Sequence, residues 1–334
     1  MNPNTRALKI SSPAMVGVLF VLLLAFSFLT TNDLGSFAIT VLSGLLQGML
    51  LFLVASGLSI IFGLMDVLNF AQGTYFMLGA YVAYAVHHSP ALMSAVPDPN
   101  LRFLLAILSA TGVGAVLGAV LERWLLRPLY ARPIFQIVLT FGVSIVLIEA
   151  IKYIWTTTPY SWSPFSLTEA SFTIFGQQFS VYRLFIIIMG LLLIVAVGLL
   201  LNRTRIGIII RAGVEDSTMV EALGINVRAV FTLVFTLGCA VAAFGGAIAA
   251  PFLGASIGLG SSFLLAAIAV VALGGLGSYE GTAVGSVLVG LAVAVVAKFT
   301  TQYLNQPVWQ SITPMLLLIL VLLVRPSGLF GKES

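Results

Sequence analysis

The chain has 334 residues, of which 60% are hydrophobic and only 8% are charged, with a formal net charge of +4. A soluble domain carries roughly 25% charged residues, so this composition excludes a soluble globular protein. Lipid-facing β-barrels alternate apolar and polar residues, whereas this chain has continuous apolar runs such as 186–201 and 316–324. We therefore predict an all-α, polytopic transmembrane helical bundle that forms a single domain over residues 1–334.

Apolar runs bounded by charges, prolines and polar clusters predict about ten membrane spans, since a span needs about 20 mostly apolar residues. In chain order they fall near 14–30, 38–63, 67–87, 102–124, 134–155, 182–201, 229–252, 262–277, 281–299 and 309–325. The first run lacks a small-x-small cleavage pattern, which favours an uncleaved helix over a signal peptide. The third and eighth runs adjoin polar or glycine-rich breaks, so either could be broken or re-entrant, and eight to ten spans are possible.

The basic residues divide unequally between the two sides of the membrane if the N-terminus is cytoplasmic. The inside segments then hold Arg6, Lys9, Arg123, Arg127, Arg132, Arg203, Arg205, Arg211, Arg228, Arg325 and Lys332, and the outside holds Arg102, Lys152, Arg183 and Lys298. The positive-inside rule selects this orientation, with both termini cytoplasmic. Five spans on each side of the external loop 156–180 would suit an inverted repeat, although internal similarity is weak. The positive charge thus indicates topology, and we predict no nucleic-acid partner.

Two breaks within the apolar runs carry the candidate translocation path. Asn69, Gln72 and Gly73 follow the second run, and a helix break there exposes backbone groups that must line a cavity or be buried in protein. The alternative is a short cytoplasmic turn in which Asn69 caps the next helix. The second break contains Gly274, Gly275 and Gly277, which either form path or gate backbone or serve as packing and turn glycines.

Charged residues within or near the spans predict structural roles. Glu149 and Lys152 are three residues apart and could form an ion pair on one helical face. We expect Asp66, Glu122 and Glu280, at predicted span edges, to be solvated or to cap helices. Residues 172–181 have the pattern of a short external hairpin or interfacial turn. No pattern predicts a metal site or a cofactor, and no Gly-x-x-x-x-Gly-Lys-Ser/Thr phosphate loop is present, so we expect no enzymatic ATP hydrolysis by that route.

The longest predicted cytoplasmic loop, residues 203–228, carries the clearest functional signal. Glu215 and Asp216 precede the pattern of a short amphipathic helix, an acidic start that the helix dipole favours, and Gly224 would end it. Such a helix could lie against a cytoplasmic partner or rest on lipid headgroups. The residue pattern alone leaves both alternatives open.

This loop resembles the cytoplasmic coupling loop of LivH-type permeases of branched-chain amino acid ATP-binding-cassette (ABC) transporters. The matching positions are Gly207, Arg211-Ala212, Glu215-Asp216, Ala222 and Leu223-Gly224-Ile225-Asn226. Segments 57–63, 69–73, 79–81, 122–128, 274–278 and 325–329 also fit the family in the right order, so the resemblance covers roughly residues 40–330. Gln72 stands where the family commonly has His, which makes a proton-sensitive role at that position doubtful.

The resemblance implies a permease subunit in a bacterial inner membrane. Its implied partners are two cytoplasmic ATPase subunits, a second permease of the LivM type and an external substrate-binding protein, with membrane lipid around them. It also implies ATPase coupling through Gly207, Arg211, Glu215, Asp216, Ala222, Gly224 and Asn226. Branched-chain amino acids are the default solutes, although similar permeases serve urea, short amides or small aromatic acids. The rivals are an ion-coupled secondary transporter, which the shortage of membrane carboxylates disfavours, and a passive channel, which needs no coupling loop.

Overall fold

The computed structural model describes residues 12–31, 33–215, 217–306 and 308–331. The first half of the chain forms α1 (Ser12–Thr31), α2 (Leu34–Met65), α3 (Gln72–His87), α4 (Pro90–Ala95), α5 (Pro99–Val120) and α6 (Pro133–Trp155). The second half forms α7 (Ser166–Glu169), strands β1 (Ser171–Ile174) and β2 (Gln177–Ser180), α8 (Val181–Arg203), α9 (Arg205–Glu215), α10 (Ser217–Ala222), α11 (Val227–Leu253), α12 (Leu259–Gly274), α13 (Tyr279–Phe299) and α14 (Val308–Val324). Helix α5 continues through a π-helical turn, Leu121–Leu126, and α13 continues through another, Thr300–Leu304.

The helices have the length and composition of membrane spans. Among the described residues, six helices are long and apolar enough to cross a membrane, and three shorter apolar helices accompany them. Helix α3, with 16 residues, covers most of the third predicted span. The prediction of a polytopic helical membrane protein is confirmed, while the total of ten spans stays a prediction.

The bundle has two ends that the short elements identify. At one, which we call the hairpin end, β1 and β2 pair antiparallel with Phe172 opposite Phe179. The turn residues Phe175 and Gly176 both have positive φ, as a two-residue hairpin turn requires. The predicted hairpin is therefore confirmed. The other end, the loop end, carries α9, α10 and the C-terminal end of α2.

The core lies around α2, α11 and α13, whose side chains are mostly buried, whereas α6 and α8 are mostly exposed. Small residues allow the central helices to approach closely. A Cβ atom on Gly290 of α13 would lie 2.2 Å from the backbone nitrogen of Gly48 in α2. A Cβ atom on Gly79 of α3 would lie 2.0 Å from the carbonyl oxygen of Ala243 in α11. The apolar surfaces of α6 and α8 then remain for lipid or for partner helices.

The structure confirms three predictions about charged residues and overturns one. Lys152 Nζ lies 2.6 Å from Glu149 Oε1, so the predicted ion pair forms. Asp66 and Glu280 are exposed, and Asp66 adopts the left-handed conformation at the C-cap of α2. The expectation for Glu122 is wrong, because its side chain is fully buried at the loop end. A buried carboxylate needs partners, and those of Glu122 come from residues that follow it in the chain.

Candidate functional site

The first break in the helices, residues 66–71 between α2 and α3, is held by buried side-chain hydrogen bonds. Asn69 and Gln72 are both 0% exposed. Asn69 Nδ2 donates to Gln72 Oε1 at 3.1 Å, and Gln72 Nε2 donates to the carbonyl oxygen of Gly238 in α11 at 2.9 Å. The backbone N–H of Ala71 donates to Asn69 Oδ1 at 3.1 Å, which closes a tight turn. The two amides therefore tie the break to α11.

The part of this break from Asn69 onward lies inside the bundle rather than at its surface. Gly238 is 11 residues into α11, so at 1.5 Å per residue it lies roughly 17 Å from the loop end of that helix. A Cβ atom on Gly73 would lie 2.1 Å from the carbonyl oxygen of Gly260 in α12, so the start of α3 is wedged between two other helices. The third predicted span is therefore helical only from Gln72 onward, and a broken or re-entrant course through the membrane stays a prediction.

A hydroxyl from α6 supports the backbone of the same break. Phe70 N donates to Thr140 Oγ1 at 3.3 Å, and Thr140 Oγ1 lies 3.4 Å from the carbonyl oxygen of Leu68. Neighbouring Ser and Thr side chains commonly satisfy backbone groups that a broken membrane helix leaves free. One turn further, Thr74 Oγ1 and Ser144 Oγ are 2.7 Å apart. Helix α6, otherwise mostly exposed, therefore contacts the core through this polar row.

The predicted path role of Asn69 and Gln72 stays a prediction. Their side chains contact protein on all sides in this conformation and line none of the cavities described below. The capping alternative takes a different form from the one expected. The N-cap of α3 is Ala71, which makes no side-chain cap, and Asn69 instead stabilises the turn before it.

The second break, residues 275–278 between α12 and α13, is held by backbone contacts. Gly275 and Gly277 have φ values of 104° and 82°, which a side chain would strain. A Cβ atom on Gly274 would lie 2.4 Å from the backbone of Gly281. The segment after α14 closes over this break, since Leu329 N donates to Leu273 O at 2.8 Å and Phe330 N donates to Gly274 O at 2.9 Å. These bonds satisfy carbonyls that the end of α12 would otherwise leave free.

A cavity of about 1060 Å³, the loop-end cavity, adjoins the second break. Gly277, Tyr279 and Glu280 line it together with Gly63 of α2 and Leu201 of α8. Gly277 therefore borders open space, whereas Gly274 and Gly275 pack against backbone. The structure thus separates the three glycines by their surroundings, and their roles in a path or gate stay predictions.

The segment from Arg203 to Arg228 folds as two short helices rather than the single helix that the sequence predicted. Gly207 begins this arrangement by packing against the end of α8, where its Cβ atom would lie 2.1 Å from the carbonyl oxygen of Leu201. Glu215 is the last residue of α9 rather than the first of the next helix. Asp216 lies outside the described residues, and for Arg211, Glu215 and Ala222 the structure describes the backbone alone.

The end of the segment follows the prediction more closely. Gly224 has a φ of 81° and follows α10, as expected of a glycine that ends a helix. Asn226 caps α11, with its Oδ1 accepting from Ala229 N at 3.1 Å. Val220 of α10 is buried, while Leu223, directly after α10, is 72% exposed. The segment therefore has an anchored side and an exposed apolar side at the loop end.

Sequence reasoning missed a polar cluster beside this segment. Arg127 Nη2 donates to Thr232 Oγ1 of α11 at 2.7 Å and lies 3.5 Å from Glu122 Oε2. Tyr130 donates its hydroxyl proton to Glu122 Oε1. Burial and the neighbouring carboxylate raise the pKa of Tyr130. The cluster joins the end of α5 to the start of α11, and the acid–base spacing of Glu122 and Arg127 was the available signal.

Sequence reasoning also missed Gln47. It is a polar residue inside the apolar run 38–63, and it lines a second cavity of about 490 Å³, between α2, α12, α13 and α14. We call this second cavity the polar cleft. Its other polar residues, Ser262, Gln310 and Ser311, lie near the starts of α12 and α14, at the hairpin end. An uncharged amide in the middle of a predicted span was the signal that could have identified it.

Comparison with known proteins gives a consistent result over most of the chain. The family profile described as "Branched-chain amino acid transport system / permease component" matches residues 40–322. The permease protein BraD of a high-affinity branched-chain amino acid transport system from Pseudomonas aeruginosa is 32% identical over 307 residues, which cover 87% of this chain and 95% of BraD. LivH of Escherichia coli K12, from a system of the same description, is 27% identical and covers 87% of this chain and 94% of its own length.

The similarity extends to a sugar transporter. The galactose/methyl galactoside import permease protein MglC of Escherichia coli K12 is 28% identical over 260 residues, which cover 72% of this chain and 74% of MglC. No solved structure gives a significant match. The similar permeases therefore include proteins named for amino acids and a protein named for a sugar.

Proposed function

The chain belongs to the branched-chain amino acid transport permease family, and from this we propose that it carries a branched-chain amino acid, or a related small polar solute, through the bacterial inner membrane. It is a permease component of an ABC transport system and not an enzyme. We propose that two separate ATPase subunits supply the energy, and that a second permease of the LivM type and an external binding protein complete the assembly. The profile match over residues 40–322 carries this conclusion.

The proposed orientation puts the loop end in the cytoplasm. Arginines cluster at that end, where the described residues include Arg123, Arg127, Arg132, Arg203, Arg205 and Arg228. The hairpin end has fewer basic residues, and these include Arg102 and Arg183. Retention of positive charge in the cytoplasm supports this orientation, with both termini on that side. The ten-span topology and the inverted repeat remain parts of the proposal.

The proposed contact with the ATPases is the segment 203–228. Its helix α10 is anchored through Val220, and Leu223, directly after α10, is exposed; this combination supports docking of an apolar partner surface. Asn226, within the segment, caps α11, and the Arg127–Thr232 bond joins α11 to the end of α5. Movement of an ATPase against α10 would therefore be passed to α11 and α5. Resting on lipid headgroups is the competing role for the same exposed side.

The test is the double variant Glu215→Ala/Asp216→Ala in the assembled transporter. We expect normal membrane insertion, with loss of ATP-driven uptake and of solute-stimulated ATP hydrolysis, because the acidic pair would contact the ATPase. Glu169→Ala is the matched control, since Glu169 is an exposed carboxylate at the hairpin end. Solute-stimulated ATP hydrolysis equal to that of the unmodified transporter would contradict the docking role.

The solute is tested separately. We expect the partner binding protein to bind leucine, isoleucine or valine, measured by calorimetry, because the relatives named above at 32% and 27% identity belong to branched-chain amino acid systems. Binding of urea, a short amide or a sugar instead would leave the permease assignment intact and overturn the choice of solute. Galactose is included among the solutes tested because MglC, a similar permease, is named for galactose import.

A further inference from the structure

Gln47 is a polar side chain without a polar partner deep in the bundle. It lies 13 residues from the start of α2 and 18 from its end, or roughly 20 Å and 27 Å at 1.5 Å per residue. Among the described residues, no hydrogen bond involves its side chain, which is half-buried and faces the polar cleft. An amide at this depth is unfavourable unless water, a solute or another chain satisfies it.

The lining of the polar cleft matches a small solute with polar and apolar parts. Gln47, Ser262, Gln310 and Ser311 supply neutral donors and acceptors, while Phe263 and Met315 are among the apolar residues. No charged side chain lines the cleft among the described residues. Its volume of about 490 Å³ lies within the roughly 300–1,000 Å³ typical of ligand pockets. Amides can bind a carboxylate through N–H and an ammonium through C=O, so the lining fits a zwitterion of zero net charge.

The polar cleft and the loop-end cavity lie towards opposite ends of the same four helices. Helices α2, α12, α13 and α14 contribute Gly63, Ala272, Tyr279 and Leu322 to the loop-end cavity. They contribute Gln47, Ser262, Val293 and Gln310 to the cleft. Alternating access requires such a pair of openings, only one of which is connected to the solute at a time.

Buried hydroxyl groups occupy the contact of α2 with α13 between the two cavities. Ser59 Oγ and Thr282 Oγ1 are 2.9 Å apart, and both side chains are buried. Ser56 and Ser286 are buried nearer the cleft, and each bonds to its own helix, with Ser286 Oγ 2.7 Å from Ala283 O. In this conformation the contact is closed. Separation of α2 from α13 would expose a row of hydroxyls that leads from one cavity to the other.

We propose that the polar cleft is the outer solute site of the permease, with Gln47 and Gln310 binding the charged groups of a zwitterionic solute. The Ser59–Thr282 contact is then the barrier between this site and the loop-end cavity. The inference rests on the proposed function for the direction of transport. It assigns the site to residues other than Asn69 and Gln72, which are buried and paired.

The chain's own cysteine content makes the first experiment possible. Cys239 is the single cysteine and is fully buried, so it gives a silent background for thiol labelling. Gln47→Cys and Gln310→Cys are placed in the assembled transporter in proteoliposomes and treated with a membrane-impermeant thiol reagent. Leu320→Cys, at an exposed apolar position on α14, is the matched control. We expect labelling of the two cleft variants, no labelling of the control, and loss of labelling when leucine and the loaded binding protein are present.

The second experiment measures transport by the Gln47→Leu variant. Loss of one hydrogen bond to a charged solute group should raise the KM for leucine about tenfold, while the amount of assembled transporter recovered after purification should match that of the unmodified protein. Leucine fills a similar volume and suits an apolar surrounding, so the variant should insert normally. If the variant does not insert, the labelling of Gln47→Cys and Gln310→Cys still tests whether the polar cleft binds the solute.

Each outcome separates this inference from the proposed function. Absence of ATP-driven uptake by the unmodified transporter would contradict the proposed function, whatever the labelling pattern. Uptake by the unmodified transporter, with an unlabelled Gln47→Cys and an unchanged KM for Gln47→Leu, would overturn the solute site alone. Labelling that leucine does not reduce, or a disulfide between two copies of Gln310→Cys, would also overturn it, by assigning the cleft to water or to a chain interface.

Discussion

The two breaks in the helices satisfy their free backbone groups in different ways, one with side chains and the other with backbone. At residues 66–71 the amide of Asn69 and the hydroxyl of Thr140 satisfy backbone N–H groups of the break, and Gln72 holds the Asn69 side chain in place. At residues 275–278 backbone groups do so, through glycines with positive φ and through Leu329 and Phe330. Asn69 and Ala71 of the first break are fully buried, while the second break adjoins a cavity of about 1060 Å³.

The difference shows which changes each break tolerates. A break held by buried side chains should lose stability when one of their hydrogen bonds is removed, because the remaining partner is left unsatisfied. A break held by backbone contacts leaves no room for a side chain, because the atoms in contact cannot move away independently. We therefore expect the second break to be the more sensitive to added volume and the first to be sensitive to lost hydrogen bonds.

The largest effect is expected for Gly274→Val at the second break. A Cβ atom there would lie 2.4 Å from the backbone of Gly281, so α12 and α13 would have to separate. Overpacking typically costs about 1–3 kcal/mol, and a backbone clash should reach the upper end of that range. The melting temperature of the purified protein in detergent measures the loss.

Gly112→Val is the control for this variant, since no atom lies within 4 Å of the Cβ position of Gly112 in α5. It adds the same volume to an exposed helix surface and should leave the melting temperature nearly unchanged. Equal melting temperatures for the two variants would show that the α12–α13 contact is not close in the folded protein.

An intermediate effect is expected for Gln72→Leu at the first break. The variant removes the bond to Gly238 O and leaves Asn69 Nδ2 without its 3.1 Å partner. An unsatisfied buried polar group costs about 1–3 kcal/mol, which the melting temperature again detects. Gln47→Leu is the matched change in the polar cleft, and it should not destabilise the protein because Gln47 has no partner to lose. Equal destabilisation by both changes would contradict the distinction drawn between the two amides.

The smallest effect is expected for Thr140→Val, which removes the hydroxyl that accepts from Phe70 N at 3.3 Å. A typical hydrogen bond contributes about 0.5–1.5 kcal/mol, so the melting temperature should fall slightly. Thr140→Ser keeps the hydroxyl and should retain most of the stability. If serine were no better than valine, the hydroxyl would not support the break, and the interaction of α6 with the core would be apolar only.

The sequence predicts the features that depend on local pattern. Apolar runs indicated the spans, Gly224 the end of α10, and the spacing of Glu149 and Lys152 their ion pair. It could not place Thr140 beside Phe70 or Leu329 beside Leu273, because those contacts join residues far apart in the chain. It misjudged Glu122 because the position at a span edge gave no information on burial by Arg127 and Tyr130.

The candidate site follows the same division. Asn69 and Gln72 were identifiable as polar residues beside a break, but their enclosure by α11 was not. Gln47 was identifiable as an amide within an apolar run, but only the arrangement of four helices reveals the cavity that it faces. Residue type thus indicated where polar groups occur, and packing decides which of them a solute can reach.

The hydrogen bonds of Leu329 and Phe330 to the end of α12 can form only late in translation. The ribosome makes α12 first, then α13 and α14, and only afterwards the segment that covers the second break. During translation the carbonyls of Leu273 and Gly274 therefore wait for residues that have not yet been made. A chain that ends directly after α14 would contain these helices but would leave the carbonyls of Leu273 and Gly274 uncovered. Such a chain should be degraded faster by membrane proteases than the full-length protein.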